Sequence, residues 1–502
     1  MSQSPTQQLY TRLKTERDPY LTRGRLCAGL TIPSLLPEEG QDENTQFAVP
    51  YSGFGARAVK QLASKIVTGL FPPSHPFVRL MIPEDMVSGD ITDDQASDLE
   101  KALSQTEGAI VQNMERRALR SHLFEVVKHL LVTGNGVLKI GTKSVRFYRL
   151  DKYVVMRDNE GEVIKLIICE KVNFKRLDDK TQAQVVERKN LKTAPRKDVT
   201  VYTVVELRGN TWYEHQECEG IVLPKSKGRY RKDRCPYIVS ALSRLDGEDY
   251  GRSFCEEHLG DLNTLESLVK AITQASVAAS KVLFLVKPNS STRATKLAKA
   301  KNGDFLQGNP DDIGCLQLDK AHDLAMAQQL RNEINQALSE AFLMTSAVRR
   351  DAERVTAEEI RAISQMLEEG LGGMYSQLAQ SLQLPLVHVL LGHMERDGTL
   401  PHFKEETFTP IVITGVEGIG RSADLQRLNT FVGLIQQVGA DKAESEMNLG
   451  ELFKRYAASL QIETDGLMRT EEEKAAFAQQ QQATQFAQQN GGQLLQMAQG
   501  QQ

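Results

Sequence analysis

The sequence predicts an α+β fold that is predominantly helical, and three patterns carry that prediction. Apolar residues recur at steps of three and four through most of the chain. One interval, about 137–240, is instead made of short β-branched and aromatic runs. The final stretch loses both patterns and becomes glutamine-rich.

With 502 residues, 40% of them apolar and 25% charged, the chain has room for about three domains' worth of core. Lys plus Arg number 61 against 65 Asp plus Glu, a net charge of −4, which excludes an overall polybasic coat but not a local basic patch. Six cysteines without a C-x-x-C pair argue for reduced thiols and against a disulfide framework or zinc module. The opening MSQSPTQQLYTRLK has no apolar core of a signal peptide, and no stretch reaches the roughly 18 apolar residues of a membrane span. A soluble protein of a reducing compartment is expected.

Taken in order, Leu9, Tyr10 and Leu13 share a helix face, and Val59, Leu62, Ile66 and Leu70 mark a second helix ended by Pro72-Pro73. Residues 84–100 hold seven acids and no base; a solvated loop is favoured over a metal site because the calcium-loop spacing is missing. A single helix is expected over about 98–132, turned into a strand by Gly134-Asn135-Gly136. The β interval reads as five or six mainly antiparallel strands, with a mobile charged loop at about 176–198. Beyond Gly251, the steps Leu259, Leu262, Leu265, Val269 and Ile272 give a helix of about thirty residues, ~45 Å long, to Ser280. A second follows at about 322–344. A third opens at Thr356, with Glu359 in capping-box position and bends at Gly370, Gly372, Gly373 and Pro385. Helical segments are expected over about 423–460. Twelve of the last 24 residues are Gln, which reads as a frayed helix or disorder.

Chemistry is harder to find. There is no G-x-x-x-x-G-K-[ST] cradle, no G-x-S-x-G elbow and no H-E-x-x-H, so no catalytic, cofactor-binding or metal residue is nominated. TGVEGIG (414–420) reads as a strand-to-helix turn, and His388 and His393 as helix-face histidines. The positive signal is electrostatic. Residues 267–303 contain no acid and seven bases: Lys270, Lys281, Lys287, Arg293, Lys296, Lys299 and Lys301. Alone, that interval fits an anion-facing surface or a solvated loop equally. The short linker 346–355 adds Arg349, Arg350 and Arg354 against Asp351 and Glu353, where plain salt bridges are the competing reading. Two long helices bracketing a basic β segment carry it to the tip of a stalk, and an amphipathic pair that protrudes needs a partner such as a second copy.

Nine segments in order then resemble the portal proteins, or head-to-tail connectors, of short-tailed (podovirus-type) double-stranded DNA bacteriophages. They are YTRLKTERDPYLTR (10–23), TIPSLLP (31–37), GARAVKQLASK (55–65), YRLDKYVVMRD (148–158), RLDGEDYGRSFCEEHLGDL (244–262), GDFLQG (303–308), ERVTAEEIR (353–361), LQLPLV (382–387) and TGVEGIGR (414–421). The resemblance implies a non-enzymatic ring, typically of twelve copies, at one capsid vertex, assembled in the host cytoplasm. It implies a wing over 1–250, a first stem helix over 251–280, a clip over 281–320 and a second stem helix over 321–345. A tunnel loop over 346–355, the wing's long helix and returning strand over 356–422, and crown helices with the Gln-rich tail over 423–502 complete it. Arg349, Arg350 and Arg354 would then face DNA in the channel. Lys281, Lys287, Arg293, Lys296, Lys299 and Lys301 would form the clip's basic surface. Implied partners are double-stranded DNA without sequence specificity, the large terminase subunit, major capsid and scaffolding proteins, and tail adaptor and internal core proteins, with no membrane and no cofactor. The alternative is a cytosolic DNA-binding or scaffold-type assembly protein using 267–303.

Overall fold

The computed structural model describes residues 4–41, 45–73, 76–81, 93–142, 144–188, 198–279 and 283–288, short pieces of 294–316, then 321–344, 357–371, 373–398, 411–413, 428–433, 452–453 and 456. Two compact units are present. The first comprises Met1–Val78, Gly108–Phe408 and Val412–Gly418; the second comprises Arg79–Glu107, Thr409–Ile411 and Ile419–Gln502.

In the first unit, α1 (Pro5–Leu30) starts at Ser4, whose side chain accepts a bond from the Gln7 amide, with Pro5 at the first helical position. It buries Tyr10, Leu13, Arg17, Leu21, Gly24, Cys27 and Ala28, a stripe at helical spacing. Arg17 is 1% exposed, and its Nη1 donates to the carbonyls of Leu150, Asp151 and Tyr153 at 3.0–3.1 Å. A buried cation thus fastens α1 to the chain at Leu150–Tyr153. Helix α2 (Phe54–Leu70) is apolar on one whole side, with Ala58, Val59, Leu62, Ala63 and Ile66 fully buried.

The expected helix over 98–132 is two helices, α3 (Asp93–Arg116) and α4 (Leu119–Thr133). Ala118 sits in left-handed conformation (φ 50°), and the neighbouring Arg117 guanidinium reaches the Gly141 carbonyl at 3.2 Å and His393 Nδ1 at 3.0 Å. No Gly or Pro announces this break. The acidic stretch is likewise not all loop. Its last residues belong to α3, which begins at Asp93. Gly134 closes α4 at φ 73°, and a Cβ there would lie 2.5 Å from the Arg252 carbonyl carbon, so only glycine fits.

Among the described residues the β interval forms nine strands in two sheets, more than the five or six strands expected of the β unit. A three-stranded sheet has the order β10-β2-β3, from Tyr237–Ala241, Asn135–Ile140 and Val145–Tyr148. A six-stranded antiparallel sheet follows: β4 (Tyr153–Arg157), β5 (Val163–Val172), β6 (Val199–Arg208), β7 (Thr211–Cys218) and β8 (Ile221–Val222), with β9 (Gly228–Arg231) also on β7. The one-turn helix Leu150–Lys152, held by Arg17, separates the two sheets. The charged loop expected at 176–198 contains a helix, α5 (Asp179–Arg188). Asp178 caps it by accepting bonds from the Thr181 amide and hydroxyl, and Val185 is buried among Phe174, Leu177, Val199, Val201 and Cys218. Polar composition hid one apolar anchor.

In the second unit, the Leu80 amide in β1 (Arg79–Met81) donates to Glu107 Oε1 at 2.8 Å, and Tyr456 donates to Asn429 Oδ1 at 2.9 Å. The turn 414–420 and the glutamine-rich tail lie outside the described residues, as does most of the 423–460 interval.

Candidate nucleic-acid interface and docking tip

The thirty-residue helix expected after Gly251 is broken at its base. Ser253 caps a single turn, α6 (Phe254–Glu257), and α7 (Leu259–Ala279) then runs 21 residues, about 32 Å. His258 stands at the break, and its ring forms a three-ring cluster with Phe254 (4.9 Å between centroids) and Phe342 (5.5 Å), which themselves meet at 5.0 Å. Phe342 also meets Phe54 of α2 edge-on, at 6.5 Å. The returning helix, α9 (Ala321–Ala341), packs along α7. Aromatic rings therefore anchor both ends of a helical hairpin in the body. Glu266 adds a further tie to the body by accepting bonds from the amides of Tyr51 and Ser52 at 2.7 and 2.8 Å.

Burial ends soon after that base. Leu262, Leu265, Leu338 and Phe342 are buried, and every other described side chain along α7 and α9 is at least partly exposed. Val277, Met326 and Leu330 stand 56%, 61% and 45% exposed. The pair thus leaves the body as a stalk with apolar surface uncovered. Its charge is acidic: Asp261, Glu266, Asp323, Glu333 and Glu340 against Lys270 and Arg331.

At the far end of the stalk, β11 (Leu283–Val286) pairs antiparallel with β12 (Ile313–Leu316). Lys287 and the bases of the following segment that are described (Lys296, Lys299 and Lys301) are exposed. So is Phe305, completely, and Leu285 is 56% exposed. Lys296 lies in the one-turn α8 (Ala294–Leu297). The Lys301 amide donates to Asp304 Oδ2 at 2.7 Å and the Lys287 amide to the Asp312 carbonyl at 3.0 Å. Folding thereby brings Asp304, Asp311 and Asp312 to the basic tip, which tempers its charge without cancelling it. Lys270 belongs elsewhere: its ammonium lies 5.7 Å from the Tyr51 ring, beside the body. Lys281, Arg293, Arg349, Arg350 and Arg354 lie outside the described residues. What is described is where their linker starts and ends: Met344 after α9, and Ala357, the first residue of α10 (Ala357–Leu371).

Sequence reasoning missed the exposed Phe305, Leu285 and Met326. A phenylalanine between Gly-Asp and Leu-Gln in a polar loop is a signal that could have found the first. The chain after α10 bends at Gly373 (φ 86°) into α11 (Met374–Leu378). A π turn then precedes α12 (Leu384–Arg396), with Pro385 in its first turn. His393 on α12 is a buried structural residue. Arg117 donates to its Nδ1, which places the ring's own proton on Nε2, and burial together with Arg117 and Arg396 lowers its pKa to about 4. Among the described residues no cluster of His, Cys, Asp and Glu could hold a metal ion, and no helix is long and apolar enough to cross a membrane.

Comparison with known proteins agrees with this geometry. The family of bacteriophage head to tail connecting proteins matches residues 4–468. The portal protein of Escherichia phage T7 is 38% identical over 99% of this chain and 94% of its own length. That of Enterobacteria phage T3 is 37% identical over 94% and 89%, and that of Enterobacteria phage SP6 is 29% identical over 96% and 94%. A matching stretch of this length, running through the body, the stalk and its tip, makes the chain a member of the bacteriophage head to tail connecting proteins.

Proposed function

We propose that copies of this chain close into a ring, twelve in number, that forms the portal channel through which double-stranded DNA enters the capsid and later leaves it. The observation that carries this reading is the stalk: a helix pair fastened at its base, acidic along its shaft, with Val277, Met326 and Leu330 left uncovered. Apolar surface of that kind belongs against a neighbour, and side-by-side packing of identical stalks around an axis covers it in every copy. In such a ring α7 is the first stem helix, the 281–320 segment the clip, α9 the second stem helix, 346–355 the tunnel loop, and 423–502 the crown. The body around α1, α2, α4 and the two sheets is the wing.

Electrostatics supports a conduit more than a binder. Acids along the shaft repel phosphates and let a duplex slide. Arg349, Arg350 and Arg354, opposed by Asp351 and Glu353, give a weak grip at the loop that touches the backbone and not the bases. Lys281, Lys287, Arg293, Lys296, Lys299 and Lys301 at the tip form a circle of positive charge for docking the packaging motor and then the tail. The protein is structural in this reading, ATP hydrolysis being supplied by the terminase. Capsid, scaffolding and internal core proteins contact the wing and crown at the vertex of the virion.

The test is a virus carrying Arg349→Ala, Arg350→Ala and Arg354→Ala together. Rings visible end-on by negative stain, with reduced genome filling or retention, are expected. Normal filling and retention would remove the arginines from the channel, and purified wild-type protein that stays monomeric at high concentration would remove the ring.

A further inference from the structure

Helix α9 ends in a way its sequence does not announce. The Met344 amide donates to the Ser339 carbonyl at 2.7 Å and the Leu343 amide to the Glu340 carbonyl at 3.0 Å. This is the paired pattern of a Schellman cap, in which the residue at Leu343's place is usually glycine because it must be left-handed. Here that residue is leucine at φ 53°. A branched side chain in that conformation is strained and persists only when its surroundings hold it.

Contacts from two other helices do so. Lys65 of α2 donates its ammonium to the Leu343 carbonyl at 2.5 Å, and Gln61, one turn earlier, points its amide at the Met344 carbonyl at 3.5 Å. The Leu343 side chain packs onto α10 at Gly370, where a Cβ would come within 2.8 Å of Leu343 Cδ2. Helix α2 also carries α10 itself: Gly69 leaves room for Leu367 and Tyr375, and Tyr375 donates to Ser364 Oγ at 3.0 Å. Both flanks of the segment 345–356 are thus fixed to one helix of the body.

We infer that Lys65 is a positioning residue: by holding the Leu343 carbonyl in its strained turn, it sets the point and direction at which the chain leaves α9 toward Arg349, Arg350 and Arg354. The inference rests on the tunnel-loop reading for its purpose, but not for its test. A lysine that merely stabilised the helix end would change global stability and nothing specific to the linker.

The test is cleavage of the purified full-length chain, without DNA, by an arginine-specific protease, with sites mapped by mass spectrometry. A charge-assisted bond half in solvent is worth roughly a tenfold shift in a local opening equilibrium. Lys65→Met should therefore raise cleavage after Arg349, Arg350 and Arg354 about tenfold relative to other sites, and Lys65→Arg should restore it. Unchanged linker cleavage in Lys65→Met, a rise equal at all sites, or no rescue by Lys65→Arg overturns the inference. Should Lys65→Met fail to fold, Lys65→Gln decides: its shorter, uncharged amide cannot replace the ammonium at the Leu343 carbonyl, so linker cleavage must rise, and unaltered cleavage overturns the inference. Because no DNA is present, a failure here is distinct from a failure of the arginines to act on DNA.

Discussion

Replacing Val277, Met326 and Leu330 together by serine should stop the chain assembling while leaving its fold intact. Each side chain has about half of its surface still in water. Burying a whole Val, Leu or Met side chain is worth about 1.5–3 kcal/mol, so the exposed half contributes about 1 kcal/mol per residue when a neighbour covers it. The three together supply about 3 kcal/mol to each contact between adjacent copies, or about two decades in association. Every contact in a closed ring carries the same deficit, so the loss repeats with each subunit added. Folding should barely change, since substitutions at exposed positions lie within about ±0.5 kcal/mol. Sedimentation velocity and mass photometry across a concentration series measure the assembly midpoint, and circular dichroism checks the fold. A variant that is folded and assembles at the wild-type midpoint would show that these residues are not in the interface and would refute the argument from the stalk.

Three further outcomes are expected. Arg17→Met should cost about 3–5 kcal/mol, because it leaves the Leu150, Asp151 and Tyr153 carbonyls buried without their donor; a urea-midpoint change equivalent to less than 1 kcal/mol would contradict this. His393 should make the fold acid-sensitive. Its folded pKa is lowered from 6.5 to about 4, so the unfolded chain takes up the proton first. Its contribution is complete above pH ~6.5 and is lost as pH falls toward ~4, by at most about 3 kcal/mol. Denaturation at stepped pH should show that slope in the wild type and a flatter one in His393→Gln. Finally, changing Lys287, Lys296, Lys299 and Lys301 to Glu should weaken docking of the motor or tail at low salt. Wild type and variant should converge near 1 M salt, where screening falls to about 3 Å. A salt-independent difference would point to packing, with Phe305 and Leu285 the obvious suspects.

Much of the architecture is legible in single residues. The spacing of Val59, Leu62 and Ile66 names α2, and Gly134-Asn135-Gly136 marks the turn into β2 correctly. Asn135 then turns out to exchange two hydrogen bonds with Gly251, at 2.7 and 2.8 Å, which ties that turn to the root of the stalk. Breaks without Gly or Pro are illegible. Ala118 is left-handed beside an Arg117 that bonds to Gly141 and His393, and His258 interrupts a helix where its ring meets two phenylalanines; both sets of partners are distant in sequence or carry no turn signal. Helix α5 is hidden for the opposite reason: its charges resemble a loop, and only Val185 and Val186 supply apolar side chains to the core it packs on.

The sequence by itself determined the helical and β intervals, the acid-free basic segment and the kinship with phage connectors, since each is a property of neighbours along the chain. Only the tertiary structure decided which apolar residues remain in water, that three aspartates return to the basic tip, and that Lys65 holds the end of a helix 278 positions away. A periodic pattern reports that a face is apolar and is silent on what covers it. Coverage, and with it the stalk on which the function rests, is settled by residues distant in sequence meeting in space.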